Sequence, residues 1–311
     1  MLRTVSKAFF QILAGSPPLK TLASRAGMNG RGGFARRFIA GETVEEAVDA
    51  ARQIQANGLH VTLDYLGESI ASIAAADAAT RAYVAVLEKI AAAGIERNIS
   101  LKLTQLGLTI DRATCVDNLR RILDAAGARD FFVRVDMENS PFTAVTLDVF
   151  ETMWQQGYRN AGVVLQSYLP RSEADAARMN ALGARVRLVK GAYNESRDAA
   201  YQSKADVDAS FVRIMRILLA GGAYPAIATH DPAMIDATRA FAKARGIDST
   251  KYEFQMLFGI RRDLQNSLKR EGLRVRVYVP FGREWFPYFM RRLGERPANI
   301  GFVIRAVLSE R

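Results

Sequence analysis

Cysteine is almost missing from this 311-residue chain, which has only Cys115. An internal disulfide is thereby excluded, as is any zinc or iron–sulfur site built on thiolates. Two histidines, His60 and His230, are too few for a polyhistidine metal centre, so no metal site is expected. No stretch approaches the roughly 18 uncharged apolar residues of a membrane span. The alanine-rich run 69–82 is broken by Asp77 and Arg81 and reads as a packed helix of a soluble protein. The dinucleotide fingerprint Gly-x-Gly-x-x-Gly follows no strand, because Gly30, Gly32 and Gly33 miss its spacing. What is present is ample core material, with 49% apolar and 24% charged residues, which rules out a disordered chain.

Acidic residues are absent before Glu42. Arg3, Lys7, Lys20, Arg25, Arg31, Arg36 and Arg37 give this start +7 of the net +11. A transit peptide, a contact for anionic lipid and a solvated arm all fit such a segment. Nucleic acid is not an expected partner: Phe9, Phe10, Phe34 and Phe38 are spaced as inward helix faces, not as a stacking platform. Residues 4–14, 18–27 and 33–40 read as helices. The next helix, 43–56, has Thr43 as its N-cap, Glu45 and Glu46 in its first turn and Gly58 just past its end.

Beyond residue 56 the pattern repeats. Apolar, β-rich runs at 59–65, 99–103, 131–136, 162–168, 186–193, 224–229, 252–257 and 275–280 alternate with helical stretches. Strict alternation of this kind predicts a parallel (βα)8 barrel. The expected division is an N-terminal helical arm, 1–56, and a catalytic barrel, 57–311. Reactive groups of such a barrel lie where strands end. Those positions hold Asp64 and Glu68, Lys102, Asp136 and Glu138, Gln166, Arg187 and Lys190, Thr229 and His230, Gln255, and Tyr278. Arg291 and Arg292 stand together on the helical stretch 285–293, where two guanidinium forks can grip one anion from different sides, with Lys102 adding a point charge. Cys115 falls within a helix and Met256 within a strand, so both read as core. Lys190 also leaves open a Schiff-base lyase or aldolase, and a non-catalytic ligand-binding barrel is a third reading.

Eight blocks, one per strand end and in order, resemble the proline dehydrogenase family: SLKLTQLG (100–107), VDMENS (135–140), VVLQSYL (163–169), RLVKGAY (187–193), ATHD (228–231), YEFQMLFG (252–259), YVPFG (278–282) and YFMRRLGE (288–295). The resemblance runs from about Val61 to Asn299 and implies a distorted TIM-type barrel with FAD bound non-covalently. It further implies oxidation of L-proline to Δ1-pyrroline-5-carboxylate, the first step of proline degradation. A hydride would pass to flavin N5, and the electrons would go on to a quinone. By the same resemblance Lys102, Arg291 and Arg292 would bind the proline carboxylate. Tyr278 and Leu257 would wall the ring, Tyr193 and Tyr288 would cover it, and Asp136 and Arg187 would be catalytic. Met137, Gln166, Arg187, Val189, Lys190, Gly191, Ala192, Thr229 and His230 would carry FAD, and Glu68 would gate the site with Arg291. The length resembles bacterial monofunctional members. A cytoplasmic enzyme is implied, its basic arm suited to the inner face of an anionic membrane. Three departures stand out: Asn194 in place of a frequent tryptophan, Asp231 in place of asparagine, and Arg296-Pro297 after the arginine pair.

Overall fold

Parallel strands cannot be joined by tight turns, so each apolar run must be followed by a helix that carries the chain back. The computed structural model describes residues 28, 34–67 and 69–295, the side chains of Phe34 and of residues 291–295 aside. It contains β1 (His60–Tyr65), β2 (Asn98–Leu101), β3 (Phe132–Val135), β4 (Ala161–Gln166), β5 (Arg185–Val189), β6 (Ala226–Ala228), β7 (Glu253–Leu257) and β8 (Val275–Phe281). All neighbours pair in parallel, and β8 closes on β1 from His60↔Arg276 to Tyr65↔Phe281. The expected barrel is the observed fold. Helix α1 (Val44–Ala56) precedes β1. Helices α2 (Ile73–Ala92), α3 (Arg112–Gly127), α4 (Thr143–Gln155), α5 (Ser172–Leu182), α6 (Lys204–Gly221), α7 (Pro232–Ala244) and α8 (Arg262–Arg270) link successive strands, and α9 (Trp285–Glu295) follows β8.

Polar residues start the helices where the sequence places them. Thr43 forms a capping box with Glu46, and Ser72, Asp111, Ser203 and Asp231 each accept a backbone N–H of the following turn. Cys115 and Met256 are buried in the core, as expected. Of the three helices expected in the arm, 4–14 and 18–27 lie outside the described residues. The third, 33–40, is a single 3-10 turn, Phe34–Arg37. It stops early because Ala40 N bonds to Pro280 O and Gly41 O accepts Gly282 N, so the backbone ties to the end of β8 instead of extending a helix.

This tie positions the mouth of the barrel. Ala35, Phe38 and Ile39 form one apolar cluster with Leu66, Ile260 and the α9 residues Trp285, Phe286, Tyr288 and Phe289. Trp285 Nε1 donates to Glu42 Oε1 at 3.0 Å, anchoring α9 across the carboxyl ends of the strands. At Gly259, φ +71°, an added Cβ would overlap the Arg37 carbonyl, so the two backbones meet where only glycine fits.

The barrel interior is polar where such interiors are usually branched and apolar. At its floor Glu96 accepts Val61 N at 2.9 Å and pairs with Arg276 at 2.8 Å and His60 Nδ1 at 3.3 Å. Burial alone would raise the Glu96 carboxyl, but His60, Arg276 and the Val61 N–H outweigh it and hold the pKa at about 2. A folded-state value below the unfolded 4.5 means stability that is full above that pH and is lost as pH falls towards 2, an upper bound of about 3 kcal/mol. Glu96→Gln is therefore expected to shrink the difference between urea midpoints at pH 6 and pH 3. An undiminished difference would assign the acid sensitivity elsewhere.

Candidate active site

The strand period of two puts Glu253 and Gln255 on one face of β7, and Arg276 and Tyr278 on one face of β8. Hydrogen bonds between strands that are not neighbours show which face is inward. Arg187 of β5 reaches side chains on β7, just after β3 and on β2: Nε donates to Gln255 Oε1 at 2.5 Å, NH1 to Asp136 Oδ1 at 2.6 Å, and NH2 to Ser100 Oγ at 3.1 Å. Tyr278 of β8 donates its hydroxyl to the other Asp136 oxygen at 3.0 Å, and the Arg187 guanidinium lies over its ring. Asp136, directly after β3, thus joins a cation and a phenol at the mouth. Burial pushes the Tyr278 phenol well above its usual range, and the Asp136 and Asp64 carboxylates add to this.

A second ionic pair stands beside the first. Lys102, directly after β2, is buried with its Nζ 3.4 Å from Asp64 Oδ2. Asp64 is fully enclosed, and its Oδ1 accepts no hydrogen bond from the described residues. Burial raises its pKa and Asp136 adds to this, against the pull of the Lys102 ammonium. A cavity of about 460 Å³ opens beside this pair, lined by Lys102, Tyr65 and Gln105 on one side and Tyr288 on another. Leu257, at the end of β7, and Tyr278 pack against the cluster that holds buried Tyr288. Arg291 and Arg292 fall on α9, on the stretch that crosses the mouth; their side chains lie outside the described residues, as does Glu68.

The remaining expected residues gather around β4, β5 and β6. Gln166 ends β4, with Nε2 on Glu138 O at 2.7 Å, which leaves the amide oxygen as acceptor. Met137 and Thr229 are buried. His230 Nε2 accepts Leu257 N at 2.9 Å, so its Nδ1 is the donor nitrogen. Val189 ends β5 and leads into Lys190, Gly191, Ala192 and half-buried Tyr193. Gly191 has φ +107°, and an added Cβ would overlap the Tyr168 ring, so the backbone lies flat on that ring.

One departure from the family pattern acquires a meaning. Asp231 caps α7 through Ala233 N at 3.1 Å, as asparagine would, but its carboxylate also pairs with Lys190 at 2.7 Å and Lys204 at 3.1 Å. Burial would raise its pKa, yet the two lysines bring it to about 2. Lys190 contacts Asp208 as well, so its amine is clasped by two carboxylates. An imine-forming lysine must present its amine to a carbonyl, and this geometry counts against the lyase reading. Asn194 is exposed, and Arg296-Pro297 lies outside the described residues. No group of three or more potential metal ligands occurs among the described residues, and no helix there is long and apolar enough to cross a membrane.

Two contributors carry no role in the sequence reading beyond a strand-end position, namely Asp64 and Gln255. Ser100 opens the first of the quoted blocks but carries no role of its own there, although it stands on β2 two residues before Lys102. That period was the available signal.

The family model described as proline dehydrogenase matches residues 47–305. Proline dehydrogenase 2 of Bacillus subtilis (strain 168) is 40% identical over 303 residues, 97% of this chain and 99% of that protein. Proline dehydrogenase of Deinococcus radiodurans is 41% identical over 300 residues, 95% of this chain and 96% of that one. Among solved structures, proline utilization A from Bdellovibrio bacteriovorus, inactivated by N-propargylglycine, superposes with TM-score 0.79 at 27% identity. That match covers 84% of this chain but 32% of the larger protein, so the chain spans about a third of it.

Proposed function

The chain belongs to the proline dehydrogenase family, and from that premise we propose that it oxidises L-proline to Δ1-pyrroline-5-carboxylate with FAD and delivers the electrons to a quinone. The observation that carries the reading is the Asp136 bridge, which sets a buried guanidinium and a half-buried phenol side by side at the barrel mouth, next to Lys102.

The side chains around β4–β6 fit a flavin. They supply an amide acceptor at Gln166 and further guanidinium N–H groups on Arg187. Thr229 and the His230 Nδ1 side add donors, and backbone at 189–192 is laid bare by Gly191. Such a mixed set suits a ring edge that both accepts and donates hydrogen bonds. Gln166, Arg187, Met137, Val189, Lys190, Gly191, Ala192, Thr229 and His230 would hold it. When bound, the flavin supplies the two-electron acceptor that lets the C5–N bond of proline become a C=N bond.

The chain's own residues do the rest. Lys102, Arg291 and Arg292 fix the carboxylate, so the ring can approach the cofactor in one orientation only. Leu257 and Tyr278 bound the ring, and Tyr193 and Tyr288 exclude water over it. Asp136 holds Arg187 and Tyr278 in place. The substrate nitrogen must be unprotonated to stabilise the developing iminium, so turnover rises with pH. Residues 57–311 would form the catalytic barrel and 1–56 its arm; Ala35, Phe38 and Ile39 of that arm brace α9, and its helix Val44–Ala56 packs on the barrel. The basic start, residues 1–41, would rest on an anionic bilayer, bringing the site near a membrane quinone. Liposome co-sedimentation should weaken when its seven basic residues are neutralised.

The decisive measurement is the visible spectrum of the purified protein. It should show an oxidised flavin that L-proline bleaches without air; a flavin left oxidised in saturating L-proline would overturn the reading. Arg291→Met and Arg292→Met should each lower kcat/KM for proline about ten- to a hundredfold, mostly through KM, since each removes one charge-assisted contact. An unchanged KM in both would remove the pair from the carboxylate site.

A further inference from the structure

Beneath the proposed site the polar interior continues to the floor of the barrel as one connected chain. Arg187 Nε donates to Gln255 Oε1 at 2.5 Å, and Gln255 Nε2 donates to Glu253 Oε1. Glu253 in turn accepts Arg276 Nε at 2.8 Å, Arg276 NH2 at 3.0 Å and the Tyr224 hydroxyl at 3.1 Å. Arg276 is completed by Glu96 and by Val61 O at 2.6 Å. Glu253, Gln255, Arg187 and Arg276 are all at least nine-tenths buried.

The chemistry of this chain permits one arrangement. An ionised carboxylate only accepts hydrogen bonds, and a guanidinium only donates them. A glutamine amide between the two must turn its NH2 to the carboxylate and its oxygen to the guanidinium. Bidentate pairing with Arg276 holds Glu253 still. Burial raises the Glu253 carboxyl, but Arg276 and the Gln255 amide more than offset this and lower it below its usual range, so it remains an acceptor at neutral pH. The Gln255 oxygen therefore has a fixed direction, and Arg187 Nε is anchored on it. With Nε pinned, the NH1 edge meets Asp136.

We propose that Glu253 and Gln255 are positioning residues for Arg187: the carboxylate at the barrel floor orients the Gln255 amide, and that amide holds the guanidinium in register with Asp136 and Tyr278. The inference rests on the reading above, in which Arg187 serves the flavin and the substrate. Neither residue is assigned to proline, and the carboxylate grip assigned to Lys102 and the α9 arginines is separate. Their influence should therefore enter through kcat and the flavin potential, not through KM.

The test uses the FAD-loaded full chain. Gln255→Met keeps the volume and leaves the Glu253–Arg276 pair intact. It should lower kcat about tenfold, as expected for loss of one charged hydrogen bond, with KM for proline within about twofold. The flavin midpoint potential should move to more negative values. Glu253→Gln, as the second variant, should move both readouts in the same direction. In an Arg187→Lys background, Gln255→Met should add no more than about twofold, because both act through one guanidinium. A wild-type kcat and potential in Gln255→Met, or full multiplication of its effect with Arg187→Lys, would overturn the proposal. A crystal structure of flavin-free Gln255→Met gives an independent arm. Arg187 turned away from Asp136 supports positioning, and Arg187 unmoved refutes it. A wild-type chain that takes up no flavin would sink the functional reading and leave this crystallographic arm to decide the inference alone.

Discussion

Asp136→Asn is expected to lower kcat/KM for L-proline at least about a hundredfold, because breaking a buried pair by removing one partner costs about 3–5 kcal/mol. The two Asp136 oxygens have different clients, Arg187 NH1 at 2.6 Å and the Tyr278 hydroxyl at 3.0 Å. Asparagine can satisfy one of them with its oxygen, but its NH2 then faces a second donor. If the amide oxygen stays on Arg187, the phenol must rotate its proton and accept. If it stays on Tyr278, two N–H donors collide beside a cation that is only 5% exposed. Either outcome displaces a group proposed to act at the substrate. Steady-state kinetics with L-proline and a thermal melt separate a site effect from global loss. A kcat/KM within twofold of wild type, in a folded protein, would show that the bridge carries no function.

Gly191→Ala is expected to weaken flavin binding while sparing the barrel. A left-handed position costs an L-residue about 1–2 kcal/mol on its own, and here the new methyl would also run into the Tyr168 ring. That ring cannot easily retreat: Tyr168 is 6% exposed, its backbone N bonds to Lys190 O at 2.9 Å, and its hydroxyl bonds to Glu195 at 3.3 Å. The segment after β5 must therefore lift, and that segment is the one proposed to hold the flavin. A flavin titration should show Kd raised at least about tenfold, the equivalent of about 1.4 kcal/mol. Adding Tyr168→Ala removes the overlap but leaves the backbone cost, so it should restore part of the affinity. Wild-type affinity in the single variant would detach 189–192 from the cofactor.

The alternation of runs and helices could be read in the sequence because it follows from local rules. Strands buried on both faces need unbroken apolar runs such as 162–165, and capping residues such as Thr43 mark where helices begin. The position of reactive groups was legible for a related reason. A parallel barrel puts every strand's carboxyl end on one rim, so Lys102, Asp136, Arg187 and Tyr278 could be grouped without coordinates. Their partners could not. Asp231 reads as a changed family residue until it is seen between two lysines that lie 27 and 41 positions away. Lys190 is a candidate nucleophile in the sequence and a clasped cation in space.

The sequence by itself determined the eightfold architecture, the rim on which chemistry gathers and the family, since all three depend on period, order and residue type along the chain. Only the tertiary structure decided which rim groups meet: that Asp136 serves both Arg187 and Tyr278, that Asp64 sits sealed beside Lys102, and that residues 34–41 brace the last helix. Those facts depend on which strands stand opposite one another across a closed barrel and on how far each side chain reaches into a dry interior. One hydrogen bond there joins residues 215 positions apart, Arg276 and Val61 O. No local pattern records such a pairing, because its energy comes from burial and donor–acceptor matching that exist only once the barrel has closed.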